Sequence, residues 1–145
     1  MPDRSQVDFY VLEDPALSPG RLACRLCMMA WEQGHRVAVL AGSEEDARAL
    51  DDLMWDFPPG RFLPHALGAA DAAVPVSIVP DAAQLDPGRD VVINLAAAPV
   101  PEPGRFQRLL EIVPADPQRK IASRDKFRQY RDWGLSPGSH QIKNV

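Results

Sequence analysis

The chain has 145 residues, 46% hydrophobic and 25% charged, enough for one globular α/β-sized core spanning residues 1–145. No apolar run approaches the ~18 residues needed to span a bilayer, and no basic-then-apolar leader is evident, so a cytoplasmic protein is expected. The net charge of -4 hides a division: residues 117–145 hold seven basic and two acidic side chains, a net +5, leaving -9 on the remainder. That division argues against a general nucleic-acid binder, whose larger part would repel phosphate, and favours a local basic face for an acidic partner.

In chain order, Phe9-Tyr10-Val11-Leu12 reads as a first buried strand, closed by Glu13-Asp14-Pro15. Ser18-Pro19 supplies an N-cap and a first-turn proline for a helix to about Gln33, stopped at Gly34. Leu22, Leu26, Met29 and Ala30 recur at helical spacing and predict its core face. The only cysteines, Cys24 and Cys27, lie inside this helix, away from the N-terminal dipole that would stabilise a thiolate. Two further zinc ligands at suitable spacing are not apparent, so packed, reduced thiols are expected and no metal site.

Val37-Ala38-Val39-Leu40 predicts a second strand, and Gly42-Ser43 a turn into a helix capped by Ser43 and opened by Glu44, Glu45 and Asp46. Ala47, Leu50, Leu53, Met54 and Phe57 give its apolar face. This strand, turn and helix is the repeating half of an open α/β sheet. A nucleotide-binding turn at this position would carry closely spaced glycines or Gly-Lys-Thr, so that backbone amides could reach a phosphate. Three carboxylates stand there instead and would repel one. The frame is that of a nucleotide-binding fold without its nucleotide site, and no cofactor is expected.

Pro58-Pro59-Gly60 ends the helix, and Arg61 to His65 is a short extended piece too proline-bounded for a central strand. Residues 66–75 read as a surface loop. Val76 to Val79 and Val91 to Leu95 are two more strands, whose short connection suits a hairpin better than a crossover. The sheet is therefore expected to be mostly parallel or mixed, with helices on both faces. Three prolines fall within residues 99–104, Arg105 to Arg108 fits a brief helical turn, and Glu111-Ile112-Val113 a last strand. Asp116-Pro117 then opens a helix to Trp133, with Gly134 as its stop.

At 100° per residue, Lys120, Arg124, Phe127, Arg128 and Arg131 of this last helix fall within about a 100° arc. Asp125 and Asp132 avoid the arc, so it lacks the carboxylate partners of a merely solvated surface. Ala122, Tyr130 and Trp133 are expected in the core, with Lys126 snorkelling between them. Cations around one ring suit an acidic peptide with an apolar end, and single-stranded nucleic acid stacking on the ring is the competing ligand. Trp55, Phe57, Phe62 and Leu63 form a second cluster, either a core edge or a protein interface. His35 and His65 have neither a nucleophile nor metal-ligand spacing nearby, and no catalytic residue is assigned. A nucleotide-using α/β enzyme is the remaining alternative, disfavoured by the missing phosphate loop.

These segments together resemble the chi subunit family of bacterial DNA polymerase III holoenzyme. The resemblance is carried by Phe9-Tyr10-Val11-Leu12, the junction from Ala30-Trp31 through Gly34 to Val37, and Leu50-Asp51-Asp52-Leu53-Met54-Trp55. It continues through Phe62-Leu63-Pro64-His65, Asp90 to Leu95, and Phe127-Arg128-Gln129-Tyr130-Arg131 with Gly134. The ordered set spans nearly the whole chain. It implies a Rossmann-like α/β domain that binds no nucleotide, has no intrinsic activity, and serves as an adaptor of the clamp-loader assembly. The adaptor joins the acidic C-terminal tail of single-stranded DNA-binding protein to a partner called psi, and meets DNA mainly indirectly. Carried over by position, the tail site uses Val113, Lys120, Arg124, Phe127 and Arg128, with Arg131 nearby, and the psi-facing surface uses Trp55 and Phe62. Phe127 and Arg128 stand where a tyrosine and a lysine occur in the family, which keeps ring and charge.

Overall fold

A computed structural model of the chain describes residues 5–68, 73–86 and 88–145. Seven strands, β1 (Gln6–Leu12), β2 (Val37–Leu40), β3 (His65–Leu67), β4 (Val76–Val79), β5 (Val91–Asn94), β6 (Arg108–Val113) and β7 (Gly138–Ile142), make one sheet. Their order is β3-β4-β2-β5-β6-β1-β7, and every pairing is parallel. Helices α1 (Pro19–Glu32) and α2 (Glu44–Asp56) cover one face and α3 (Pro117–Asp132) the other. This is an open α/β sheet of Rossmann-like type.

The local signals act where the sequence places them. Ser18 Oγ accepts from the Arg21 amide at the start of α1, and Ser43 Oγ from the Asp46 amide at the start of α2. Gly42, at φ +104°, turns the chain out of β2, and a side chain there would meet Ala96 Cβ at 3.3 Å. In α1 the buried face is Leu22, Ala23, Cys24, Cys27, Met28 and Ala30. Met29 faces away and is 55% exposed, which corrects its expected place in the core. Both cysteines are free and fully buried; burial pushes the Cys24 thiol from 9.0 up to about 12 and raises Cys27 as well.

The expected hairpin between the fourth and fifth strands is overturned, and with it the mixed sheet. β4 and β5 do not pair; both flank β2 in parallel, so the connection passes over β2 with a short 3-10 turn at Ala82–Gln84. β2 is Val-Ala-Val-Leu, buried along its whole length, and apolar on both faces. Such a strand gains most when neighbours occupy both edges, and that outweighs the shortness of the connection. Residues Ala66 and Leu67, expected in a loop, belong to edge strand β3, whereas residues 69–72 of that expected loop lie outside the described residues. β7 had no sequence expectation at all.

Two core layers result. Leu12, Leu22, Leu50, Met54, Ile93 and Ile112 are among the side chains packed under α1 and α2. On the other face a single helix, α3, is too narrow for the sheet. The 80–90 and 95–107 connections complete that face by inserting Leu85, Val100 and Phe106.

Candidate binding pocket and paired aromatic surface

Helix α3 is unusual in what it buries. Asp116 caps it and Pro117 opens it, while Gly134, at φ +92°, closes it as the Leu135 amide returns to the Tyr130 carbonyl at 3.0 Å. Only two of its side chains are fully buried, Lys126 and Tyr130, and both are polar. They converge on Glu111 of β6, itself 0% exposed. The Lys126 ammonium donates to Glu111 Oε1 at 2.6 Å and to the Ala96 carbonyl at 2.7 Å. The Tyr130 hydroxyl donates to Glu111 Oε2 at 2.6 Å and accepts from the Val100 amide at 2.8 Å. Asn94 of β5 donates to the same Oε2 at 2.9 Å and to the Ala98 carbonyl at 2.9 Å.

The network holds α3 against β5, β6 and the 95–100 loop with its buried polar groups paired, as a dry site requires. Burial lowers the Lys126 pKa, opposed by the charge and hydrogen bond of Glu111. Burial, and secondly the Glu111 carboxylate, push the Tyr130 phenol upward. Sequence reading had Lys126 snorkelling to solvent; it is instead an internal ion-pair partner. The available signal was a pair of polar residues next to apolar runs, Asn94 after Val91-Val92-Ile93 in β5 and Glu111 between Leu110 and Ile112 in β6. Trp133, expected in the core, is 46% exposed, with its ring edge on Tyr130 at 5.9 Å, and Ala122 is half-buried.

Held from below in this way, α3 offers its cationic side to a pocket of about 210 Å³. The pocket collects Val113, Lys120, Arg124 and Phe127 from the expected set and adds Phe9 and Val11 of β1, Ser123 of α3, and Ser139 of β7. Phe127 lies half-buried, its ring 5.3 Å from that of Phe9, so the floor is aromatic and the upper wall is cationic. Among the described residues neither Lys120 nor Arg124 has an ion-pair partner. Arg128 and Arg131 do not line the pocket; both are exposed on the same helix. Arg128 Nη1 lies 3.6 Å from Asp125 Oδ1, with both side chains largely in water. That contact gives Arg128 a carboxylate partner on its own helix, which the arc was expected to lack, although so exposed a pair is weak. Phe9 and Val11 could have been found from strand alternation, which turns both to one face; Ser139 had no signal.

The aromatic cluster divides. Phe57 and Leu63 are core, while Trp55 and Phe62 are 58% and 61% exposed, their rings 5.9 Å apart. Trp55 also packs on His65 at 4.8 Å. This pair stands beside β3, whereas the pocket reaches β7 at the other edge of the sheet, six strand spacings or roughly 29 Å away. His35 Nδ1 donates to Asp90 Oδ2 at 2.8 Å and ties the start of β2 to the start of β5. A crevice of about 300 Å³ opens at the carboxyl ends of β2, β5 and β6, where this fold class places nucleotides. The first turn of α2, which borders it at Asp46, is acidic and repels phosphate. No group of three or more His, Cys, Asp or Glu is placed to hold a metal among the described residues, and no described helix is long and apolar enough to cross a membrane.

Fold and pocket together define a class: a parallel open-sheet α/β domain with a cationic, aromatic-floored pocket beneath its last helix. The chain belongs to the DNA polymerase III chi subunit family: the family model described as "DNA polymerase III chi subunit, HolC" matches residues 5–137. DNA polymerase III subunit chi of Pseudomonas aeruginosa is 35% identical over 97% of this chain and 99% of its own length. The Haemophilus influenzae and Escherichia coli chi subunits are 30% and 26% identical, each over 88% of this chain and 92% of their own. Chi is an accessory, non-catalytic subunit of that replicative polymerase. Among solved structures, the C-terminal domain of S. cerevisiae Dbp5, bound to Gle1 and IP6, superposes with a TM-score of 0.60 over 95% of this chain and 90% of that chain. At 9% identity it is a likeness of fold alone.

Proposed function

We propose that this chain is a single-domain adaptor of the DNA polymerase III holoenzyme, with no catalytic activity of its own. In this reading the pocket beneath α3 takes the acidic C-terminal tail of single-stranded DNA-binding protein, and the Trp55 and Phe62 surface meets a psi-type partner in the clamp-loader assembly. The observation that carries the proposal is the pairing, in one pocket, of two cations free of internal carboxylates with an aromatic floor. A chain terminus rich in carboxylates satisfies Lys120 and Arg124, and an apolar last side chain packs on Phe9 and Phe127. Val113 closes the back of the site, and Arg128 and Arg131 extend the positive field outside it. Exposed Trp and Phe side chains in contact suit an interface anchor.

Direct capture of single-stranded DNA stacks successive bases on exposed rings, whereas the pocket offers a half-buried Phe127 packed against Phe9. The test is binding of the purified chain to intact single-stranded DNA-binding protein, to the same protein without its acidic tail, and to a bare oligonucleotide. Binding to the intact protein alone is expected. Equal binding to the tailless protein, or tight salt-sensitive binding to the oligonucleotide, would sink the proposal.

A further inference from the structure

The pocket beneath α3 reaches the last strand of the sheet, where Ser139 of β7 lines it. No strand lies beyond β7 among the described residues. The register shows which backbone groups this leaves open. The Ile142 carbonyl accepts from the Glu13 amide at 3.2 Å, so residue 142 faces β1. In a parallel strand the N–H and C=O of one residue point the same way, and direction alternates along the chain. Gly138 and His140, opposite Asp8 and Tyr10, therefore also face β1, and the N–H and C=O groups of Ser139 and Gln141 point outward from the sheet.

This edge lacks the usual protection. From Gly138 to Ile142 there is no proline and no acid or permanently charged base, and the pairing with β1 is unbroken by a bulge. The one titratable side chain, His140, turns to the opposite face, 3.0 Å from Asp8 Oδ1 and stacked on Tyr10 at 5.1 Å. Ser139 is exposed on the pocket side, the side that carries Lys120 and Arg124, and Lys143 follows the strand.

We infer that an acidic peptide seated in the pocket continues along β7 as an added strand, hydrogen-bonded to the backbone of Ser139 and Gln141. The inference rests on the reading of the pocket as an acidic-peptide site and extends that site from one terminal anchor to several residues upstream. Main-chain hydrogen bonds supply register in such strand addition, and alternate side chains supply specificity. Every second side chain of the added strand would fall on the pocket face, within reach of the field of Lys120 and Arg124. A carboxylate is favoured at those positions and indifferent at the positions between them. The ligand chemistry is thus an extended acidic segment with a free, apolar-ended terminus, rather than a compact anion.

The experiment uses the full chain and a ten-residue acidic peptide that ends in phenylalanine with a free carboxylate. Single backbone nitrogens of the peptide are methylated in turn, and amide exchange of the chain is followed by NMR with and without the unmodified peptide. Expected is an alternating pattern, every second methyl weakening binding roughly tenfold, the loss of about one hydrogen bond. The Ser139 and Gln141 amides should slow their exchange at the same time. If no methylation matters and those amides are unchanged while Arg124→Ala still removes binding, strand addition is wrong and the pocket reading survives. If the unmodified peptide fails to bind, or binds Arg124→Ala equally well, the pocket reading fails and takes the inference with it.

Discussion

Replacing Lys126 by Met keeps an unbranched apolar stem, one atom shorter, and removes the charged end with its donors. Glu111, 0% exposed, then loses the donor to Oε1, and the Ala96 carbonyl loses its partner, while Tyr130 and Asn94 still serve Oε2. Removing one partner of a buried ion pair costs about 3–5 kcal/mol, because the remaining charge is left without compensation. Against a total stability of about 5–15 kcal/mol this is a large fraction, and for a chain of this size it corresponds to a fall in Tm of roughly 10 °C. Urea unfolding followed by circular dichroism measures it. The Lys126→Met/Glu111→Gln double variant should cost less than the sum of the two single changes by about 2 kcal/mol, since the second change removes the stranded charge. A Lys126→Met protein within about 1 kcal/mol of the parent, or strict additivity in the cycle, would refute the view that this pair fastens α3 to the sheet.

Other outcomes follow from the same geometry. Cys24 and Cys27 should not react with a thiol reagent at pH 8 in the native protein, and both should react in urea; native reactivity would contradict their burial. Because folding raises the Cys24 pKa from 9.0 to about 12, unfolded chains lose that proton first, so the stability held below pH 9.0 declines as pH rises toward about 12. Melting curves from pH 8 to 11 should fall more steeply for the parent than for Cys24→Ala, and equal slopes would count against this. Trp55→Ala and Phe62→Ala should change stability by less than about 1 kcal/mol, as both are mostly exposed, yet remove binding to a psi-type partner in a pull-down. Retained capture by the doubly substituted chain would move that interface elsewhere.

Much of the architecture was legible because it rests on local chemistry. The caps at Ser18, Ser43 and Asp116, the stop at Gly134 and the apolar runs of β1, β2, β4 and β5 each act over a few residues. What the sequence did not disclose depends on neighbours distant in the chain. The parallel crossing of β4 to β5 over β2 follows from which strand gains most at the centre, and the 11-residue connection alone points the other way. β7, Gly-Ser-His-Gln-Ile, has little strand propensity; it forms because β1 offers it an edge and Asp8 holds His140.

The candidate pocket shows the same division. Helical periodicity put Lys120, Arg124 and Phe127 on one side of α3, and the structure brings them together with Val113 over β1. Periodicity also put Arg128 and Arg131 there, but neither lines the pocket, which draws its other residues from β1, β6 and β7. Lys126 ends inside rather than snorkelling because its partner, Glu111, lies on a different element 15 residues earlier, beyond the reach of helical periodicity.

The most direct test of the central claim is fluorescence anisotropy of a labelled acidic peptide ending in phenylalanine, titrated with the parent chain, Arg124→Ala and Phe127→Ala at low and at physiological salt. Each variant should raise Kd by roughly tenfold or more, the worth of a charge-assisted hydrogen bond or a buried ring, and salt should weaken the parent and Phe127→Ala more than Arg124→Ala. Equal affinity across all three proteins, with no difference in salt response, would contradict an acidic-tail site beneath α3.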